Sequence, residues 1–307
     1  MKPLRIVFAG SPAAAVPSLS LLAESPHTVV GVITRTDSVQ GRKRILTPTP
    51  VAEAASRLDI PVHRTNRLGE DAAHFVADLA PDLGVIVAYG GMVREPLLSA
   101  PRLGWINLHF SVLPQWRGAA PVQRSIMAGD DVVGASVFQL VDELDAGGVF
   151  GVLTESLPPH ATAGETLEHL SHSGAQLLAE VVSGLALGTI EAAPQRGDVS
   201  YAPKMSLADG RLSLHAPAAA VYAQIRGTTP EPGAFVEVAG SKLKLLSARP
   251  SDREVPEGQL AEHEGSIYLG TMTQAIQLLQ VHPAGKKPMS ATDWWRGQRT
   301  NGTVTVE

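Results

Sequence analysis

The sequence predicts an α/β protein that combines a doubly wound, mostly parallel sheet with a smaller C-terminal part resembling a small β-barrel. Apolar, strand-like runs at 4–9 and 28–34 flank a helical stretch at 14–23, which is the spacing of a βαβ unit and therefore of parallel strands. This alternation continues to about residue 187. Beyond residue 204, turn residues separate short strands at close spacing, a pattern typical of small barrels.

The elements of the larger part follow one another in the order expected of βαβ units. The run at 28–34 is rich in β-branched residues, which favour strands. Strands are predicted at 4–9, 28–34, 61–63, 83–88, in the run that begins at Gly104, at 135–141 and at 149–153. Helices are predicted at 14–23, 51–58, 70–79, 119–128 and 163–187.

The pattern of predicted elements changes after Tyr201-Ala202-Pro203-Lys204, and we place a domain boundary there. The predicted elements beyond it are a helix at 216–225 and strands at 234–238, 242–248, 266–269 and 275–281. The expected domains are therefore residues 1–203 and residues 204–307.

Composition limits the classes of function. The chain has 307 residues, of which 44% are hydrophobic and 18% charged, so it can bury a substantial core in two domains. It contains no cysteine, which excludes disulfides, thiolate nucleophiles and cysteine-ligated zinc. With no signal-like N-terminus and no apolar stretch of about 20 residues, we expect a cytoplasmic protein without membrane attachment.

Charge is unevenly distributed along the chain. The net charge is −5, but residues 204–307 carry 11 Lys and Arg against 10 Asp and Glu, for a balance of +1. Within the acidic first part, the connection at 35–50 contains the basic run Arg42-Lys43-Arg44. Such a run is commonly a solvated loop. Its position in an acidic domain favours a mobile loop that contacts phosphates.

The stretch that begins at Gly104 carries the strongest chemical signal. In an extended chain Asn107 and His109 face the same side, and the strand gives way to a loop at Pro114. Polar groups at such a strand end are the usual ligand site of open α/β sheets. The Tyr89-Gly90 turn ends a neighbouring strand and offers backbone amides to a ligand. On pattern alone, however, a strand Asn–His pair is more often a satisfied polar patch.

Two other turns are candidates for chemistry. The first βα turn, Gly10-Ser11-Pro12, lacks the G-x-G-x-x-G spacing, and proline withholds a backbone N–H, so a dinucleotide site is disfavoured. The acidic turn that contains Asp145 precedes the strand at 149–153, and Asp near Gly is also ordinary turn chemistry.

Several motifs together resemble one family. Asn107-Leu108-His109-Phe110-Ser111 with Leu113-Pro114, followed by Arg117-Gly118-Ala119-Ala120-Pro121, resembles the signature of the folate-dependent formyltransferases. Within that family, Gly41-Arg42-Lys43-Arg44 and Tyr201-Ala202-Pro203-Lys204 are similar to segments of the members that formylate charged initiator tRNA. The resemblance spans both expected domains and weakens after about residue 250.

The resemblance implies a Rossmann-like catalytic domain at 1–203 and a C-terminal OB-like, tRNA-binding β-barrel domain at 204–307. The expected reaction is formyl transfer from 10-formyltetrahydrofolate to the α-amine of initiator methionyl-tRNA, by a monomer and without a metal. The implied catalytic residues are Asn107, His109 and Asp145. We expect folate to contact Ser111, Val112, Leu113, Pro114, Tyr89 and Gly90, and tRNA to contact Arg42, Lys43, Arg44 and Lys204.

The expected mechanism uses Asn107 and a protonated His109 as donors to the formyl oxygen, with Asp145 keeping the imidazole cationic. Gly148 and Glu231 depart from the family pattern, which commonly has an Asp and an aromatic residue there. Two alternatives stay open. One is a formyltransferase for a small amine such as glycinamide ribonucleotide or an amino-sugar nucleotide, and the other is a non-catalytic RNA-binding protein.

Overall fold

The computed structural model describes residues 2–41, 43–298 and 303–306. Within these ranges the chain divides into two compact units. The first unit extends to Pro121 and includes Val133–Glu155 and Leu167–Ala202. The second unit comprises Val122–Val132, Ser156–Thr166 and the chain from Pro203 onward. No helix in the described part of the chain is long and apolar enough to cross a membrane.

Most elements that precede residue 203 alternate between strand and helix. The strands are β1 (Arg5–Gly10), β2 (Thr28–Thr34), β3 (Ser38–Gln40), β4 (Ile45–Thr47), β5 (Val62–Arg64), β6 (Leu83–Val87), β7 (Trp105–His109), β8 (Arg117–Gly118), β9 (Val132–Gln139), β10 (Val149–Ser156) and β11 (Tyr201–Ala202). The helices are α1 (Val16–Ala23), α2 (Pro50–Arg57), α3 (Glu70–Leu79), α4 (Pro121–Ala128) and α5 (Ala163–Leu187).

A seven-stranded sheet has the order β10-β9-β7-β6-β1-β2-β5. Five neighbouring strands of this sheet, in the order β7-β6-β1-β2-β5, are mutually parallel. Strand β9 runs antiparallel to β7. Strands β2 and β5 lie on one side of β1. Strands β6 and β7 lie on the other side, so the strand order reverses between β1 and β6. In open α/β sheets ligands bind outside the carboxyl ends of the strands around such a reversal.

Alternating apolar residues fix the faces of this sheet. Val7 of β1, Ile33 of β2 and Ile86 of β6 pack with Ala72 and Val76 of α3 in one buried cluster. Because side chains alternate along a strand, the intervening residues of β1 face the opposite side of the sheet. The sheet is therefore apolar on both faces, and polar side chains in its central strands need a specific reason to be there.

The start of α2 shows how local sequence sets an element. Thr49 has an extended backbone, and its side chain accepts the N–H of Ala52 at 3.0 Å. Pro50 follows at the first helical position, where its missing N–H is not needed. The helix therefore begins where the N-cap threonine and the following proline predict.

The second unit is built on an antiparallel sheet. Its strands are β12 (Phe235–Val238), β13 (Ser241–Pro250), β14 (Gln259–His263), β15 (Ser266–Gly270), β16 (Ala275–Pro283), β17 (Met289–Ser290) and β18 (Thr303–Thr305), and its later helices are α6 (Ala218–Thr228) and α7 (Ala291–Arg296). The order is β12-β13-β16-β15-β14-β18, with β17 beside β16. A bridge between Val238 and Val306 joins the two edges, so the sheet forms a nearly closed barrel.

Two segments from the middle of the chain complete this second unit. Arg124 Nη1 lies 2.7 Å from Oδ1 of Asp209, and Arg226 donates to the carbonyl of Ala161 at 3.2 Å. A Cβ at Gly227 would lie 2.5 Å from the side chain of Met127, so glycine is needed for this close approach. The assignment of catalysis to residues 1–203 and tRNA binding to 204–307 stays a prediction.

The predicted fold class is confirmed: a parallel-dominated, Rossmann-like sheet accompanies an antiparallel barrel. The helical stretch predicted at 14–23 is a short 3-10 turn at Ala13–Ala15 followed by α1. The connection predicted as a loop at 35–50 contains the β3–β4 hairpin instead. The predicted elements also omit β14, α7 and β18. In β14 the residues Gln259-Leu260-Ala261-Glu262-His263 lack β-branched side chains, and pairing with β15 and β18 makes this segment a strand.

Candidate active site

Strand β7 places two polar side chains in the middle of the first sheet. It lies between β6 and β9, with Asn107 opposite Ile86 on one side and Phe138 on the other. His109, two residues on, is opposite Ser136 and only 6% exposed. The predicted pairing of Asn107 and His109 on one face follows from this regular strand geometry.

The hydrogen bonds of His109 determine which ring nitrogen carries the proton. Nε2 lies 2.8 Å from the carbonyl oxygen of Trp116. Because a carbonyl only accepts, Nε2–H donates this bond in the neutral ring, which leaves a lone pair on Nδ1. Nδ1 is 3.8 Å from Oδ2 of Asp145. A proton arriving at Nδ1 would therefore form an ion pair with a buried carboxylate.

Burial lowers the pKa of His109 below its ordinary value of 6.5, although the Asp145 carboxylate and the Trp116 carbonyl both act in the opposite direction. This shift favours the neutral imidazole in the free protein. This differs from the expectation that Asp145 keeps His109 protonated. The expectation considered the attraction between the two groups but not the cost of removing the imidazolium from water.

Asp145 is held in place by backbone groups. Its Oδ2 accepts the N–H of Gly118 at 2.8 Å, and its own φ is +48°, in the left-handed region that costs a non-glycine residue free energy. Gly118, with φ +125°, lies against Ala202, and a Cβ would be 2.7 Å from the Ala202 carbonyl oxygen. The short parallel pairing of β8 with β11 thus sets the position of an N–H that binds the carboxylate.

Asn107 carries an unused polar atom. Its Oδ1 is buried and has no hydrogen-bond partner among the described residues. A buried polar group without a partner costs about 1–3 kcal/mol, so such groups are uncommon unless they have a role. Rotation of the carboxamide would place its N–H₂ there instead. A ligand atom is the natural partner of either group.

The loop around Asp145 depends on two residues that the sequence analysis did not assign to the site. Gln195 Nε2 donates to the carbonyls of Asp145 and Gly147, at 2.7 and 2.9 Å. Its Oε1 accepts from Arg117 at 2.8 and 3.2 Å. The bridge between Val149 and Ala193 brings Gln195 to this loop. A single bridge in an irregular segment has no periodic pattern, so the sequence offers no signal for it.

The predicted folate segment forms a tight, internally bonded turn. The Ser111 hydroxyl donates to the Gln115 carbonyl at 2.6 Å, and the Ser111 carbonyl accepts from Ser136 Oγ at 2.7 Å. Ser111, Leu113 and Pro114 are buried, whereas Val112 is half-buried. The Ser111 side chain is thus occupied, and contact with a ligand here would fall mainly to backbone groups and to Val112.

The Tyr89-Gly90 turn is likewise engaged through its side chain. Tyr89 is buried and donates from its hydroxyl to the Thr65 carbonyl at 2.7 Å. Arg35 donates to the carbonyls of Tyr89 and Gly90 at 3.1 and 2.6 Å. Burial raises the pKa of the Tyr89 phenol. The predicted ligand contact at this turn is therefore restricted to its backbone amides.

The predicted tRNA-contacting residues differ in their surroundings. Lys43 and Arg44 are exposed in the turn of the β3–β4 hairpin, and Arg42 lies outside the described residues. The same hairpin exposes Val39, Ile45 and Leu46, by 53%, 60% and 64%. Lys204 is exposed in the second unit. The hairpin thus presents apolar and cationic side chains together.

One departure from the family pattern has a local explanation. A Cβ at Gly148 would lie 2.9 Å from Cβ of Ala192 and 3.3 Å from the Ala193 carbonyl oxygen, so the segment at 192–193 occupies the room of a larger residue. Glu231 is exposed. Among the described residues, no group of three or more His, Asp or Glu side chains could hold a metal ion.

Comparison with known proteins finds formyl transferases over most of the chain. Residues 4–182 match the formyl transferase family, and residues 204–299 match the formyl transferase C-terminal domain. The methionyl-tRNA formyltransferase of Leifsonia xyli subsp. xyli is 55% identical over 295 residues, which is 96% of this chain and 97% of the relative.

Solved structures support the fold at lower identity. An N-formyltransferase from Helicobacter canadensis aligns with a TM-score of 0.69 at 14% identity, over 91% of this chain and 100% of that chain. The methionyl-tRNA formyltransferase from Clostridium thermocellum aligns with a TM-score of 0.56 at 13% identity, over 81% and 94%. The chain belongs to the formyl transferase family, in its methionyl-tRNA formyltransferase branch.

Proposed function

We propose that this protein transfers the formyl group of 10-formyltetrahydrofolate to the α-amino group of methionine on initiator methionyl-tRNA. The observation that carries the proposal is the arrangement at the end of β7. Asn107, whose buried Oδ1 lacks a partner among the described residues, shares a strand face with His109, whose Nδ1 lies 3.8 Å from the Asp145 carboxylate. The 55% identical relative is a methionyl-tRNA formyltransferase, which supports the choice of acceptor.

The residues present suit a formyl donor. When bound, 10-formyltetrahydrofolate supplies a formyl carbon that an amine can attack. With its carboxamide rotated so that the N–H₂ group takes the place of the unpartnered Oδ1, Asn107 donates an N–H to the formyl oxygen, where negative charge develops during the attack. A donor of this kind lowers a barrier by about 3–4 kcal/mol.

His109 and Asp145 manage the proton of the attacking amine. A neutral His109 takes up this proton at Nδ1, directly or through one water, because Nε2 is committed to the Trp116 carbonyl. Asp145 then stabilises the imidazolium from 3.8 Å, and the proton is available to the departing nitrogen. The buried position of His109 keeps it in the basic form until the substrate supplies a proton.

Selection of the acceptor belongs to other parts of the chain. We assign the turn at 111–114 and the amides of Tyr89 and Gly90 to folate, and Arg42, Lys43, Arg44 and Lys204 to tRNA phosphates. When exposed cations bind a phosphate backbone, they displace the counterions condensed on it. These cations therefore suit a polyanionic substrate and not a small amine. The domain at 204–307 would contribute most of the remaining tRNA surface.

The test is an assay of the purified chain with 10-formyltetrahydrofolate and charged initiator tRNA, in competition with glycinamide ribonucleotide and an amino-sugar nucleotide. We expect formyl-methionyl-tRNA as the product and no loss of rate from either small amine. Formylation of a small amine in preference to tRNA would contradict the proposal, and tRNA binding without any formyl transfer would favour a non-catalytic RNA-binding protein.

We propose that the protein acts in the cytoplasm as a monomer. We also propose that it needs no metal, since the proposed mechanism uses only Asn107, His109 and Asp145. Sedimentation of the purified chain with and without tRNA tests the monomer, and activity after prolonged treatment with a chelator tests independence from metal.

A further inference from the structure

We infer that Gln195 is a positioning residue for the proposed formyl transfer: its carboxamide holds the Asp145 loop in the conformation that faces His109. The inference rests on the proposed function for its link to catalysis. The geometry itself consists of four hydrogen bonds in the first unit. Gln195 donates to the carbonyls of Asp145 and Gly147 and accepts two bonds from Arg117.

These four bonds use the full capacity of one carboxamide. Nε2 has two N–H groups and both are donated, whereas Oε1 has two lone pairs and both receive guanidinium N–H groups. Arg117 is buried, so its bonds to Gln195 are shielded from water. Arg117 Nη1 also lies 3.3 Å from Glu143, at the start of the same loop.

The loop needs this support because its backbone is strained. Asp145 has φ +48°, a conformation that persists only where surrounding contacts enforce it. Gly147 is equally constrained, because a Cβ there would lie 1.7 Å from the Gln139 carbonyl oxygen. Gln195 bonds to both carbonyls and therefore fixes the peptide planes between Asp145 and Ala146 and between Gly147 and Gly148. The side chain of Asp145 is then directed at His109 and at the Gly118 N–H.

Gln224, in the second unit, offers a matched control. Its Nε2 donates to the carbonyls of Asp209 and Arg211, at 2.9 and 2.8 Å, which are again two residues apart. Gln224 has the same chemistry and the same kind of backbone target, but neither target carries a residue assigned to catalysis. Loss of Gln224 therefore measures what such a clamp contributes to structure alone.

The experiment compares Gln195→Ala and Gln195→Glu with Gln224→Ala in the full chain. Gln195→Ala removes every bond. Gln195→Glu keeps the shape and the acceptor for Arg117 but places a carboxylate oxygen against two carbonyls. We expect both Gln195 variants to lower kcat by about 10- to 100-fold, with KM for tRNA changed less than about threefold, because small displacements of a catalytic group have effects of this size.

A second readout does not depend on activity. The titration of the His109 ring is followed by NMR and assigned with a His109→Asn variant. Because Asp145 opposes the effect of burial on the His109 pKa, its displacement in Gln195→Ala moves the His109 midpoint to lower pH. Gln224→Ala leaves this midpoint where it is in the unmodified chain. Thermal unfolding of each variant shows that it is folded.

Each outcome decides one proposal. A His109 midpoint and a kcat that are unchanged in both Gln195 variants would overturn the inference, as would an equal change of both in Gln224→Ala. If the unmodified chain transfers no formyl group, the proposed function fails, but the shift of the His109 midpoint still tests the role of Gln195 in placing Asp145.

Discussion

The end of β7 and the β3–β4 hairpin belong to the same unit, yet the polar side chains are buried in the first and exposed in the second. At the end of β7, His109 and Asp145 are buried and bonded to the backbone. On the hairpin, Lys43 and Arg44 are exposed beside apolar residues that are also exposed. The first arrangement suits chemistry on a few atoms, and the second suits contact with a large charged surface.

The largest expected effect comes from removing the Asn107 carboxamide. Asn107→Ala should lower kcat by about 10²- to 10³-fold, the usual result of losing one donor to a developing oxyanion. Binding of tRNA, followed by fluorescence titration, should change by less than about threefold. An equal loss of turnover and tRNA affinity would remove the distinction between the two regions.

The next effect concerns the hairpin. The double variant Lys43→Ala/Arg44→Ala should weaken tRNA binding by about tenfold and reduce the slope of log K against log salt by about 1.4 to 1.8, since each phosphate contact contributes about 0.7 to 0.9. The charge-matched control is Arg67→Ala/Arg94→Ala, which removes two other exposed cations of the first unit. If both double variants have the same salt slope, the hairpin is an ordinary solvated surface.

A smaller effect is expected from pH. Burial lowers the pKa of His109, so its NMR midpoint should lie below 6.5 in the free enzyme, and the neutral base should predominate at pH 7. The unfolded chain binds a proton at this residue more readily than the folded chain, so stability from this source falls as pH drops below 6.5. A midpoint above 6.5 would restore the cationic His109 that the family resemblance led us to expect.

The smallest effect separates stability from chemistry. Hydrogen bonding to Arg124, followed by Ser206, holds the pKa of Asp209 at about 2. Because this value is depressed, the stabilisation is complete above the unfolded value of 3.8 and is lost as pH falls toward 2. Asp209→Asn should therefore lower the free energy of unfolding by at most about 2 kcal/mol at pH 7, and by almost nothing near pH 2.

Urea unfolding at both pH values measures the Asp209 effect, and the His109 midpoint serves as the control that should not move. A loss of stability in Asp209→Asn that is the same at pH 2 and pH 7 would show that the carboxylate contributes nothing as a charge.

Sequence reasoning was effective where the relevant physics is periodic or local. Alternation along β7 was sufficient to place Asn107 and His109 on one face, and the βαβ spacing predicted the parallel sheet. The acidic turn was a candidate on sequence alone, but the role of Asp145 beside His109 came only from family resemblance, because no local pattern links it to a histidine 36 positions earlier in the chain. Only the assembled fold brings Oδ2 of Asp145 to 3.8 Å from Nδ1 of His109.

Two parts of the site were beyond the sequence for physical reasons. Gln195 donates both of its N–H groups to backbone carbonyls, which every residue possesses, so these partners leave no pattern to detect. The protonation of His109 depends on how completely the chain removes it from water, and that quantity exists only once the strands are assembled.

The second unit is assembled from segments that are far apart in the sequence, and this has a consequence for synthesis. Val122–Val132 and Ser156–Thr166 leave the ribosome well before the barrel strands with which they are grouped, from Phe235 onward. Synthesis proceeds at about 5–20 residues per second, so these segments wait several seconds for their packing partners. During that interval both segments are accessible to a protease or chaperone. A nascent chain arrested near residue 203 should therefore be cleaved within these two segments more readily than the finished protein.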